Sequence, residues 1–274
     1  MTLTDPERAP DQALRTPSNL KLRMIASVGM IVVASIALTL GGIAFWLLGV
    51  VAALFMMAEW AMLQGADAKT RRMTQFALSV PLALMAPASL ILVVHDFFTL
   101  GLLAGAAFFV VITTRKPPLA LGIIYCGLPV LALMIIRRQE DGVLLTLWAL
   151  SLVWACDIGA FFTGRSLGGP KLAPVISPNK TWSGLIGGVA LAGIVAAILH
   201  VEYALPFHLA LATPFLAALA QMGDLYESWL KRVAGVKDSG NTLPGHGGVM
   251  DRLDGLVPVA PVAALLIMLP SLYS

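Results

Sequence analysis

Residues 24–58 read MIASVGMIVVASIALTLGGIAFWLLGVVAALFMMA, 35 consecutive positions without a charged side chain. The hydrocarbon core of a bilayer, roughly 30 Å thick, is crossed by about 20 apolar helical residues. This run is therefore long enough for two helices, with Gly41-Gly42 as the natural break. The runs 73–94, 97–114, 117–136, 142–156, 181–201, 203–223 and 255–274 are equally free of charge. Of the 274 residues, 58% are hydrophobic and only 12% charged, and mean hydropathy is +0.87. A soluble domain has closer to a quarter of its residues charged. The pattern predicts an all-α, polytopic bundle of about nine transmembrane helices. They are placed near 22–40, 43–63, 74–95, 98–114, 118–136, 143–164, 183–200, 206–223 and 256–272.

Residues 1–20 are polar and contain proline, without a basic stretch leading into a short apolar core, and read as a cytosolic tail rather than a cleaved signal. Residues 21–274 then form a single integral-membrane domain. Within it, 21–140 supplies the N-terminal helices and 141–274 the catalytic helices and loops. Cys126 and Cys156 lie inside apolar runs and read as small buried hydrophobes. The net charge of +3 is modest and points to topology rather than nucleic-acid binding. No internal repeat supports an inverted-repeat transporter.

Lys and Arg gather at Lys21/Arg23, at Lys69/Arg71/Arg72, at Arg115/Lys116, at Arg165/Lys171/Lys180 and at Lys231/Arg232/Lys237/Arg252. With nine helices and a cytosolic N-terminus, all these clusters fall on the cytosolic side. Arg137-Arg138 falls opposite. The loops 165–182 and 224–254 then face the cytosol, around a polar cavity open to it. A bacterial inner membrane is the expected location.

Chemistry concentrates in those loops. If the eighth helix continues past Gly223, Asp224, Glu227, Ser228 and Lys231 share one face. Asp251 and Asp254, three apart at the start of a helix, point the same way. Three acids converging at a membrane surface repel one another unless a cation sits among them, and hard oxygen ligands suit Mg²⁺. Pro244-Gly-His-Gly-Gly248 offers backbone N–H groups to an anion. Lys231, Arg232, Lys237 and Arg252 can neutralise phosphate. Together these point to phosphoryl or nucleotidyl transfer, in which catalysis is mostly positioning and charge neutralisation. The loop 165–182 repeats the theme with Ser177, Lys180 and Thr181. Asp157, ionisable in an apolar helix, is a further candidate. Glu59 reads first as a structural acid paired with Lys or Arg from a neighbouring helix.

The stretch Ser228-x-Leu230-Lys231-Arg232-x₄-Lys237-Asp238-x-Gly240-x₂-Leu243-Pro244-x-His246-Gly247-Gly248-x₂-Asp251-Arg252-x-Asp254 closely resembles the signature of the phosphatidate cytidylyltransferase (CDP-diacylglycerol synthase) family. Gln221-x-Gly223-Asp224-Leu225 is similar too, as is Asp157-x-Gly159-Ala160-x-Phe162-x-Gly164-Arg165 followed by 171–182. Met57-Ala-Glu-Trp60 bears a fainter likeness to an early family element. Strong similarity covers about 150–255. Asn179 and Ser183 depart from the family's usual Lys and Glu, which leaves the roles of those two positions open.

The resemblance implies CTP plus phosphatidate giving CDP-diacylglycerol plus pyrophosphate, with Mg²⁺, and it leaves a second cation open. It also implies a homodimer. Position by position, it makes Asp224, Asp251 and Asp254 the metal-binding acids, with Lys231 and Lys237 as further catalytic groups. Asp157, Ser177, Lys180, Thr181, Ser228, Arg232, Gly245, His246, Gly247, Gly248 and Arg252 would bind substrate. Two rivals stand beside this reading. A CDP-alcohol phosphotransferase is disfavoured because Asp254-Gly255 runs on into Leu-Val-Pro-Val. A carrier for anionic lipid or nucleotide would explain the charges, but not three acids with a glycine-rich loop.

Overall fold

The break expected at Gly41-Gly42 is present, and its chemistry is visible. Helix α1 (Pro17–Leu40) ends there and α2 (Gly42–Leu63) begins. Gly41 and Gly42 both adopt positive φ, 62° and 48°, which residues with a Cβ rarely tolerate. Arg137, one of the two cations on the unexpected side, explains itself here. Its Nε donates to Leu38 O at 2.9 Å and its Nη2 to Thr39 O at 3.4 Å. It satisfies carbonyls that the end of α1 leaves without helical partners.

This computed structural model describes residues 17–87, 96–243 and 247–272. Among them, α3 (Ala68–Leu84), α4 (Asp96–Thr114), α5 (Pro117–Arg137) and α6 (Gly142–Leu167) follow. Next come two short antiparallel strands, β1 (Lys171–Ala173) and β2 (Ser177–Thr181). Helices α7 (Trp182–Tyr203), α8 (Phe207–Val233), the four-residue α9 (Met250–Leu253) and α10 (Leu256–Leu272) complete the chain. The architecture is all-α and membrane-spanning. Helices α2, α5, α6, α7 and α8 are long and apolar enough to cross a bilayer. Shorter apolar stretches occur at Val28–Leu40, Phe98–Thr114 and Leu256–Leu269.

Three boundaries differ from expectation. Helix α3 starts at Ala68, not near 74, because Asp67 caps it by accepting from the Thr70 N–H at 3.2 Å. Lys69, Arg71 and Arg72 therefore sit in its first turns, and the expected end of this helix, 88–95, lies outside the described residues. Helix α8 runs to Val233 rather than 223. The 165–182 segment, read as a loop, contains a hairpin in which Lys171 pairs with Thr181 and Ala173 with Ser177.

Large apolar side chains such as Ile31, Phe76, Phe108, Phe161, Ile186 and Phe215 face outward. In lipid, that is where they belong. The interior holds two main apolar clusters. One, around α2, α3 and α5, includes Met56, Met57, Trp60, Leu78, Leu82 and Ile123. The other, around α6, α8 and α10, includes Trp148, Leu152, Leu209, Leu216 and Val259. Helices α6 and α7 approach so closely that a Cβ on Gly159 would lie 2.6 Å from Gly187 O. Such small-residue contacts bring helices together where lipid supplies no hydrophobic drive. Cys126 and Cys156 are both buried free thiols.

Candidate active site

The polar residues collect where the C-terminal ends of α2, α6 and α8 meet the start of α10. Helix α8 reaches this point because Gly223 allows it to lie against α10. A Cβ there would strike the Asp254 carbonyl, and would sit 2.7 Å from the Pro258 ring. The helix then continues with Asp224, Ser228 and Lys231 in one stripe.

From the hairpin, Lys180 Nζ reaches Asp224 Oδ2 at 2.5 Å and Gln221 Oε1 at 3.0 Å. Gln221, itself buried, donates through Nε2 to Asp157 Oδ1 at 3.2 Å. Ser228 Oγ donates to Asp224 Oδ1 at 3.3 Å. Asp157, Lys180, Gln221, Asp224 and Ser228 thus form one connected group. Asp157 is exposed although it lies on a spanning helix. An ionisable group in that setting faces protein or a water-filled cavity, and its partner here is an amide rather than a cation.

The second group is organised by α2. Glu59 is fully buried, and its carboxylate accepts four hydrogen bonds from a segment about 180 residues downstream. Oε1 takes Thr242 Oγ1 at 2.6 Å and the Val249 N–H at 2.9 Å. Oε2 takes Ser239 Oγ at 3.2 Å and the Met250 N–H at 2.8 Å. The expected Lys or Arg partner is replaced by backbone donors and hydroxyls. Gly248 must be glycine for this to happen, because a Cβ there would lie 2.6 Å from Glu59 Oε2.

Asp251 is similarly enclosed. Its Oδ1 pairs with Lys231 Nζ at 2.7 Å, and its Oδ2 accepts from Gly248 N–H at 2.8 Å and Ser239 N–H at 3.0 Å, while the single Ser239 hydroxyl proton is shared between Oδ2, at 3.0 Å, and Glu59 Oε2. Burial alone would raise its pKa, but Lys231 and the backbone donors hold it below the ordinary aspartate value. Lys231 also lies 3.4 Å from Glu227 Oε2. Glu227 is 0% exposed, and neither carboxylate oxygen has a hydrogen-bond donor. Between the two groups stands Asp254, whose Oδ1 accepts from Gly255 N–H at 2.7 Å. Burial first, then the charge of Asp224, pushes its carboxyl up to about 7.

The structure therefore brings Asp157, Lys180, Asp224, Ser228, Lys231, Asp251 and Asp254 to one end of the bundle. Arg232, Lys237 and Arg252 are exposed at its rim, with Arg232 Nε 3.5 Å from Ile176 O. Ser177, half-buried, opens β2. The buried Thr181 hydroxyl caps α7, accepting from the Gly184 N–H at 3.1 Å. Ser183 Oγ contacts Thr181 Oγ1 at 3.0 Å and donates to Gly168 O. Gly245 and His246 lie outside the described residues. The Leu243 N–H donates to Gly247 O at 2.9 Å, closing the loop's base, while the Gly248 N–H is engaged by Asp251. Glu59, Gln221 and Ser239 were not among the residues singled out for the site, and Glu227, placed by its spacing on the α8 stripe, was given no role in it. An acid in an apolar span, as at Glu59, was the signal available.

Against this geometry, the sequence comparisons give one answer. The model of the cytidylyltransferase family matches residues 21–269. The chain belongs to this family. It is 36% identical over 256 residues to the phosphatidate cytidylyltransferase of Brucella suis biovar 1 (strain 1330), covering 90% of this chain and 93% of that one. The Bacillus subtilis (strain 168) phosphatidate cytidylyltransferase is 43% identical over 155 residues, 55% of this chain and 58% of that one. A Rickettsia bellii (strain RML369-C) protein of the same name is 40% identical over 153 residues, 53% of this chain and 66% of that one. As a member of the cytidylyltransferase family, the chain is a nucleotidyltransferase, and both polar groups of the site fall inside the matched span.

Proposed function

We propose that this enzyme joins CTP to phosphatidate, releasing pyrophosphate and forming CDP-diacylglycerol, at a site open to the cytosol of a bacterial inner membrane. The observation that carries the reading is the meeting of Lys180–Asp224 and Lys231–Asp251 beside Glu227 and Asp254. Anionic substrates need cations to receive them, and those cations need acids to hold them ready until substrate arrives.

In this reading an oxygen of the lipid phosphate attacks the α-phosphorus of CTP. The new O–P bond forms as the bond to the β-phosphate oxygen breaks, and pyrophosphate leaves in line. A phosphate monoester has its second pKa at about 6, so it arrives ionised and needs no strong general base. Lys180 and Lys231 can exchange their carboxylate partners for phosphate oxygens as substrate enters, and Arg232, Lys237 and Arg252 add positive charge at the rim. Asp251, which also accepts from the Ser239 and Gly248 N–H groups, holds Lys231 ready until substrate enters and ties those two backbone positions together.

Magnesium is the proposed cofactor, with Asp224 and Asp254 the acids that would hold it; Asp251, the third acid the resemblance names, is already engaged by Lys231, Ser239 and Gly248. Among the described residues no three acids make a ready-made metal cage. Mg²⁺ does not require one, since it typically takes one or two carboxylates and completes its shell with water and substrate phosphate. What supports it is the crowding of acids at this point: Glu227 is buried next to Asp254 with, among the described residues, only the Lys231 ammonium, 3.4 Å away, to balance it, and the charge of Asp224 bears on Asp254 as well. When bound, the ion would supply charge neutralisation on the triphosphate. The resemblance further supports a homodimer.

The test is pyrophosphate release by detergent-solubilised protein given CTP and phosphatidate. Release is expected with both substrates present, lost on chelating divalent cations and restored by Mg²⁺. Absence of release with both substrates and Mg²⁺ would overturn the reading in favour of a carrier.

A further inference from the structure

Beside this site, an apolar crevice of about 180 Å³ with no acid in its lining runs between α1, α2, α5, α6 and the start of α10. Its α2 wall extends from Phe45 to Met56, roughly 16 Å at about 1.5 Å per residue. That is about the depth of one leaflet, half of a hydrocarbon core roughly 30 Å thick. Trp154, half exposed on the spanning helix α6, forms part of the wall, so the crevice borders the bilayer. Among its described lining residues only Arg252 is charged. Arg252 follows Asp251 directly and precedes Asp254 by two positions.

Protein interiors are close-packed, and apolar cavities of this size stay dry and accept apolar guests. A narrow apolar slot as deep as a leaflet, with a guanidinium where the polar site begins, has the shape and charge of one molecule: a phosphate-bearing lipid with one chain inserted. We infer that this crevice holds an acyl chain of the phosphatidate substrate, with Arg252 meeting the lipid phosphate at its mouth. The inference rests on the proposed reaction, and it adds where the lipid lies. It also makes the crevice a determinant of chain-length preference. The chain threads between α2 and α5 and brings the phosphate to Arg252 on α9, the helix that also carries Asp251.

Two measurements on the full-length protein in detergent test this. A phosphatidate with a photoactivatable diazirine midway along one chain is expected to label the facing walls of α2 and α5. Unlabelled phosphatidate should suppress that labelling, and phosphatidylcholine with the same chains should not. Labelling spread over the outer helix faces, or equal suppression by both lipids, would overturn the assignment. In parallel, Ala52→Phe fills the slot. It should raise KM for dipalmitoyl phosphatidate about tenfold, the effect of displacing roughly two methylenes, while KM for CTP and turnover of dihexanoyl phosphatidate stay at wild-type values. Equal effects on long and short chains, or none, would also overturn it. If Ala52→Phe does not fold, the labelling decides alone. If wild-type protein labels as expected but releases no pyrophosphate, the reaction is wrong and the lipid site stands.

Discussion

Glu59 shows how much one side chain can hold in this protein. A carboxylate with no exposure accepts from two backbone N–H groups and two hydroxyls of a segment that has little regular structure of its own. It thereby fixes the start of α9, from which Asp251 and Asp254 project. Hydrogen bonds to charged groups contribute about 1.5–3 kcal/mol each, and a mismatched buried donor adds a further cost. Glu59→Gln keeps the shape but turns one acceptor into a donor facing donors. It should cost about 2–4 kcal/mol, seen as a lower thermal midpoint in detergent, together with a large loss of kcat. Unchanged stability and turnover would show that the loop holds itself. The sequence offered only an isolated acid in an apolar run, and the natural inference of a cationic partner was wrong in kind. Its partners come from a loop far along the chain, where no local pattern announces them.

At the scale of elements, the hairpin β1–β2 and helix α7 act as one device. Thr181 ends β2 and caps α7, so the strand that carries Lys180 is locked to the helix that packs along α6. Thr181→Ala should destabilise by about 1 kcal/mol, the usual effect of losing an N-cap. The drop should appear in chemical unfolding, and Thr181→Ser should restore most of it. A loss of activity far beyond that stability change would indicate that the hydroxyl also meets substrate. The helices themselves were legible from charge-free runs of bilayer length. The hairpin was not, because its glycines, prolines and polar residues give no alternating pattern. The extension of α8 depended on tolerance of Gly223 in a helix, which packing against α10 decides.

On the scale of the whole molecule, the contacts Lys180–Asp224 and Arg232–Ile176 put the two long polar segments at the same end of the bundle. Arg137 removes the one discordant cluster from the orientation argument, since it serves the end of α1. Single cysteines introduced at Asn179 and Lys237, both exposed, should therefore react with an impermeant thiol reagent only from the cytosolic side of sealed vesicles. Reaction from the other side would invert the proposed topology. The sequence by itself determined that the chain spans a membrane, that its helices fall where charge is absent, and that the motifs carrying its family likeness gather in 157–254. These follow from composition and order, because the bilayer tolerates so few arrangements of apolar chain. The tertiary structure alone decided which acids are already committed and which stay unsatisfied. Asp251 and Glu59 are enclosed by hydrogen-bond donors, while the buried Glu227 carboxylate has, among the described residues, no hydrogen bond and only the Lys231 ammonium, 3.4 Å away, to balance it. That distinction depends on which backbone N–H groups approach across 180 residues of intervening chain, a matter of packing that no spacing encodes.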